Sequence, residues 1–420
     1  MKTIFRKIWT IAVIGMAAVL GKSAPTAASA PADTPAAATG AVTGDAISAP
    51  ALRPYTDGSG RPHRLPQKIS RIISTSPVGD ILLYALAPDL MAGWCSPRHT
   101  SEKPFLLPEV RDLPAFGGWF GQNAAGVARE RLIAARPDFV LSVGYTTAAA
   151  GEQSDRLQRQ TGIPVLLEGG RLEEFPATLE RLGALLGREK RAGELAAYCR
   201  AALADARAFA AAVPPERRRR VYCAEGPRGL LAAPVGSLHS EPLELCGGIN
   251  VVRGIGTARG RVEVSSDNLL LWQPDVIIAF PDFTGEKRTA GRATSDTSSS
   301  RATGVHAGTA TGAATGTSSP NPTSRSPLPT YMQTAAWRGL RAVREKRVFV
   351  VPTTPFNWLG RPPSLNRFLG LKWGAWALYP DLAAARFDIN AETRRFFKLF
   401  YHHDLSAAGA AAILDASRAR

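Results

Sequence analysis

Apolar residues fall into two kinds of pattern along this chain. One is the short unbroken run: Arg71-Ile72-Ile73-Ser74-Thr75, Asp138 to Val143, Pro164 to Glu168, Val221-Tyr222-Cys223-Ala224, Asp275 to Phe280 and Arg347-Val348-Phe349-Val350-Val351. Such a run suits a strand of a parallel sheet, buried on both faces. The other kind recurs every three or four residues and predicts helices. The longest covers Arg188 to Val213, with Leu195, Ala196, Cys199, Leu203, Ala206 and Ala210 at helical spacing. Gly187 stands where the preceding pattern of Leu172, Phe175, Leu179, Leu182 and Leu186 needs a cap, and Pro214-Pro215 forbids continuation. At 1.5 Å per residue this helix would run roughly 35 to 40 Å, about the width of a small domain.

Its two flanks look alike. Leu132-Ile133-Ala134-Ala135-Arg136-Pro137-Asp138 leads into one apolar run, and Leu269-Leu270-Leu271-Trp272-Gln273-Pro274-Asp275 into another. Each is an apolar helix end broken by Pro-Asp, because the residue before proline is pushed out of the helical region. Two α/β lobes joined by one long helix follow: a first lobe over 66–170, a helical segment over 171–215 and a second lobe over 216–405, with a C-terminal tail at 406–420.

The ends and one internal stretch fall outside this pattern. Lys2, Arg6 and Lys7 precede a 13-residue apolar run from Ile8 to Leu20, then small residues with Ala-x-Ala options ending at Ala30 and Ala32. That is a secretory signal over 1–32, too short in its core to span a bilayer, and no cysteine follows it to carry a lipid. Residues 33–65 have few large apolar side chains and are expected to be a flexible tether. The Ser/Thr/Gly/Ala/Pro stretch at 284–330 is expected to be a low-complexity insertion within the second lobe, after which structure resumes with a helix expected around Met332 to Val343.

The net charge of +16 falls to +12 once Lys2, Arg6, Lys7 and Lys22 are removed with the signal. The excess is scattered arginine, with one cluster at Arg217 to Arg220 that suits a solvated strand start, so nucleic acid is not indicated. Cys95, Cys199, Cys223 and Cys246 suit an oxidising compartment and allow three pairings; Cys199 equally suits a buried free thiol on the apolar face of the long helix. No Cys-x-x-Cys or His-Glu-x-x-His occurs, and no paired acid and base converge in sequence, so no enzyme is indicated.

Candidate binding chemistry gathers in loops after the strands. Gly117-Gly118-Trp119-Phe120-Gly121 sets Trp119 and Phe120 beside flexible glycines; Tyr145 and Glu225 follow strands; His239 precedes a short helix. Pro352 to Arg367 mixes prolines with Phe356, Trp358 and Arg361, where Trp358 offers a stacking face and Arg361 a cation.

Taken together, Ile73-Ser74-Thr75-Ser76-Pro77 with Asp80, the Gly117 to Gly121 loop, Arg136-Pro137-Asp138, Gly236-Ser237 with Glu244-Leu245-Cys246-Gly247-Gly248, and Phe356 to Arg367 resemble the helical-backbone (class III) periplasmic substrate-binding proteins of ABC importers. The insertion departs from that family's pattern. The resemblance implies two Rossmann-like lobes with a ligand cleft between them, and capture of an iron–siderophore or similar metal chelate for an inner-membrane permease dimer. Molybdate, a nickel chelate, cobalamin or haem are alternative ligands, and a chelatase-like enzyme the alternative activity. It implies a monomer free in the periplasm with no intrinsic cofactor, the metal arriving inside the ligand, with His239 a candidate for touching it. It also implies that Asp80 and either Glu241 or Glu244 dock onto basic residues of the permease.

Overall fold

The computed structural model describes residues 51–118, 129–256, 260–281 and 328–419. The signal segment, Trp119 and Phe120, and nearly all of the 284–330 insertion lie outside them. β1 (Leu52–Thr56) and β2 (Pro62–Pro66) form an antiparallel hairpin. The apolar runs then build two parallel sheets. In the first lobe β3 (Ile72–Ser74), β4 (Phe139–Gly144) and β5 (Val165–Gly169) pair in sequence order. The second lobe contains β6 (Arg220–Ala224), β7 (Leu231–Ala232), β8 (Ile249–Asn250), β9 (Val262–Glu263), β10 (Val276–Ala279) and β11 (Val348–Val350). Its main sheet has the order β11-β10-β6-β8, and β7 with β9 makes a small antiparallel pair.

The long helix spans Glu189–Ala212 and buries Leu195, Ala196, Cys199, Ala202, Leu203, Ala206 and Phe209. Gly187 caps the helix before it, Phe175–Leu186, at φ 64°, a left-handed conformation that glycine adopts without a Cβ penalty. One continuous core runs along this bridging helix. It takes Ile72, Leu141 and Leu166 from the first sheet, Cys223 and Ile278 from the second, and Phe368 and Trp373 from the helix Arg367–Leu378. The opposite sheet faces have smaller cores of their own, with Val140 and Val165 on Leu132 and Leu157, and Tyr222 and Ile277 on Trp337 and Leu340. Because close-packed interiors resist deformation, a core shared between lobes favours a cleft that is largely preformed.

Three expectations change. Residues 51–66 are not part of a tether: the carboxylate of Asp57 accepts from the Leu167 N–H at 2.9 Å, and Arg61 donates to the Val165 carbonyl at 2.7 Å. Side chains of the hairpin thereby satisfy the outer edge of β5, which would otherwise expose unpaired backbone groups. The 406–420 tail holds a helix, Ala407–Ala416, after which the Val350 N–H of β11 donates to the Ser417 carbonyl at 2.8 Å. The helix expected around Met332 to Val343 is broken into short turns at 330–333, 335–338 and 341–344. All four cysteines are buried and unbridged. Among the described residues no helix is long and apolar enough to cross a membrane.

Candidate ligand-binding site

Parallel strands deliver their following loops to one edge of the sheet, where open α/β folds place ligands. Tyr145 directly follows β4 and Glu225 directly follows β6. The loop after β11 returns Arg361 to Glu225: the guanidinium donates from Nε to Oε2 at 2.7 Å and from Nη2 to Oε1 at 3.0 Å, a bidentate pair. Glu225 is 2% exposed, whereas the Arg361 side chain keeps 25% of its surface open. Arg361 Nη1 also lies 2.9 Å from His239 Nε2.

The imidazole of His239 is held from its other side. Its Nδ1 contacts the Gly360 carbonyl, which can only accept, so Nδ1 carries the proton and Nε2 presents its lone pair to Arg361. Burial, helped by the adjacent Arg361 charge, pulls this histidine down to about 3, so it is neutral at ordinary pH. Position 360 must be glycine for this approach, since a Cβ there would sit 2.8 Å from the His239 Cα. Asn357 shapes the same turn, its Oδ1 accepting from the N–H groups of Leu359, Gly360 and Arg361 at 3.0, 2.9 and 3.2 Å. Arg261 adds a second cation, 3.7 Å from Glu225 and 34% exposed in its side chain.

The first lobe reaches this cluster through Tyr145, whose hydroxyl accepts from the Leu238 N–H at 3.2 Å, one residue before His239. The fold thus brings together four of the expected residues, Tyr145, Glu225, His239 and Arg361. Below them the lobes are clasped. Arg367, fully buried, donates to Glu241 at 2.6 Å, to the Leu238 carbonyl at 3.0 Å and to the Gly170 carbonyl at the end of β5. Glu241 in turn accepts from the Leu172 N–H at 3.3 Å.

Other expected residues lie elsewhere. Trp358 is 0% exposed, its Nε1 donating to the Thr354 carbonyl at 2.9 Å, so it packs the core and stacks on nothing in the cleft. Phe356 is buried against Trp94 and Tyr401, with Arg98 over its ring. Asp80 is wholly buried and accepts from the Cys95 N–H at 2.8 Å, out of reach of a partner protein. Glu241 is spent in the clasp. Glu244 is half-buried and holds Asn250 Nδ2 at 3.1 Å and the Gly236 N–H at 3.3 Å. Two members of the cluster were not expected. Asn357 had a readable signal, an Asn opening a turn that ends in glycine; Arg261 had none, being one arginine among many. Among the described residues no group of three or more His, Cys, Asp or Glu converges as a metal centre.

No family model matches the chain. Its structure is similar to that of an ABC transporter solute-binding protein from Sulfurospirillum deleyianum, with a TM-score of 0.67 and 29% identity over 84% of this chain and 96% of that one. It shares its fold with the molybdate-bound periplasmic binding protein MolA of Haemophilus influenzae, TM-score 0.61 at 18% identity, covering 84% of this chain and 99% of that one. In sequence it is 28% identical over 212 residues to the vitamin B12-binding proteins of Salmonella choleraesuis and Salmonella typhimurium, half of this chain and 71% of theirs. These are transport proteins rather than enzymes. With two parallel-sheet lobes on a 24-residue bridging helix and its polar cluster at the strand ends, the chain is similar in architecture to the periplasmic solute-binding proteins of ABC transporters, in the class with a helical backbone between the lobes.

Proposed function

We propose that this protein captures an anionic metal chelate, an iron–siderophore or similar complex, in the periplasm and delivers it to an inner-membrane permease. The observation that carries the ligand class is the charge of the cluster: Arg361 and Arg261 face one carboxylate, Glu225, beside a neutral His239, leaving one uncompensated positive charge. A partly exposed arginine with spare N–H groups recognises carboxylate, catecholate or hydroxamate oxygens directionally. A preformed cleft lowers the ordering cost of binding. Cobalamin, a cobalt chelate, is the second candidate, supported by the 28% identity to the vitamin B12-binding proteins.

Export as the sequence suggests, with residues 1–32 removed, would place the protein where such ligands arrive. Native mass spectrometry of protein isolated from its own periplasm tests this. A one-to-one adduct whose mass and isotope pattern contain a transition metal is expected. A metal-free adduct, or none after growth under metal limitation, would contradict it.

A further inference from the structure

Resting on that reading, we propose that the Glu225 carboxylate and the His239 Nε2 form a two-point metal site that the guanidinium of Arg361 fills while the protein is empty. A metal chelate with an open coordination position displaces the guanidinium, which turns to the chelate's anionic rim.

The geometry argues for it directly. One cation bridges two groups that are both competent metal ligands as they stand. Glu225 offers two oxygens, at 2.7 and 3.0 Å from Arg361, and His239 offers Nε2 at 2.9 Å. The histidine needs no proton removed, because its Nδ1–H is committed to the Gly360 carbonyl, the outer-shell contact that fixes the tautomer of metal-binding imidazoles. Coordination therefore exchanges one cation for another, with no proton released by the protein. Glu225 is almost fully buried and would be costly to leave uncompensated, which explains why a guanidinium sits against it. Arg361 can leave because its side chain is a quarter exposed and its backbone is held separately, by Asn357. Carboxylate oxygen with imidazole nitrogen suits iron, cobalt, nickel or zinc rather than calcium or magnesium.

Titration of tag-free protein with nickel chloride and with zinc chloride tests the site without any chelate, so its outcome is independent of which chelate, if any, the protein carries. Removing the resident cation in Arg361→Ala is expected to tighten binding of the bare metal at least tenfold over the wild type. Adding His239→Gln to that variant should return the affinity to the wild-type level, and cobalt loaded into Arg361→Ala should show an absorption band that His239→Gln abolishes. Arg361→Gln, which keeps a hydrogen-bond donor toward Glu225, serves in the same comparison if the alanine variant does not fold. No gain in metal affinity in the folded variant, or a gain that survives loss of His239, overturns the proposal.

Discussion

Arg367 and Glu241 form a buried ion pair at 2.6 Å that joins the second lobe to the Gly170–Leu172 segment of the first. Breaking such a pair strands a charge, which costs about 3 to 5 kcal/mol, whereas replacing both partners by apolar groups removes much of that penalty. Arg367→Met should lower the urea midpoint strongly, and Arg367→Met with Glu241→Leu should recover part of the loss. Additive losses in the double variant would show that the two side chains act separately.

Asn357 sets the position of Arg361 through three backbone N–H groups. Asn357→Ala leaves those donors without their acceptor and is expected to cost about 1 to 3 kcal/mol of stability. Asn357→Asp keeps an acceptor oxygen and should retain most of it. Equal losses in the two variants would remove the acceptor role.

Asp57 anchors the N-terminal hairpin. Burial alone would raise its carboxyl, but hydrogen bonds from His63, the Leu167 N–H, Ser59 and Arg61 overcome that and hold it well below the usual carboxylate range. A depressed folded-state pKa gives stability above the unfolded value, near 4, that is lost as pH falls toward the folded value. Asp57→Asn should therefore be less stable than the wild type by about 2 to 3 kcal/mol at pH 6, with the gap narrowing at pH 3. A gap that stays constant between the two would contradict this.

Asp80 has the opposite sign. Burial pushes its carboxyl up to about 7, against the partial opposition of the Cys95 N–H and Arg98. A raised folded-state pKa means stability present below the unfolded value and lost as pH rises from about 4 to about 7, by up to about 1.4 kcal/mol per pH unit. Asp80→Asn should flatten that slope. Parallel stability profiles for variant and wild type across this window would contradict the assignment.

The bridging helix and the sheets were legible because their signals are local: Gly187 and Pro214 bound the helix, and unbroken apolar runs mark strands covered on both faces. The hairpin is less legible although Asp57-Gly58-Ser59-Gly60 is turn chemistry; of its strand residues Leu65 enters the core, while Asp57 and Arg61 at the turn satisfy the edge of β5 across about a hundred residues of sequence. Asp80 carried a readable warning. Its helix, Pro77–Leu86, is apolar on every side, so it has no solvated face on which an acid can meet a partner. Trp358 gave no such clue, since an aromatic residue in a proline-bounded loop has no periodicity to reveal which way it points. The strand before it brings the Arg361 loop to the sheet edge, but the bond of Arg361 to Glu225 joins residues 136 positions apart and exists only in the folded chain.

Calorimetric titration of wild type and Arg361→Ala with the chelate found by native mass spectrometry tests the central claim most directly. Loss of a charge-assisted hydrogen bond to an anionic rim is worth about 1.5 to 3 kcal/mol, or about 10- to 150-fold in affinity. The account predicts a net weakening for the anionic chelate, smaller than that range because the variant has no guanidinium to displace from Glu225 and His239, and opposite in sign to the gain expected for the bare metal. Unchanged chelate affinity in a folded Arg361→Ala variant would contradict it.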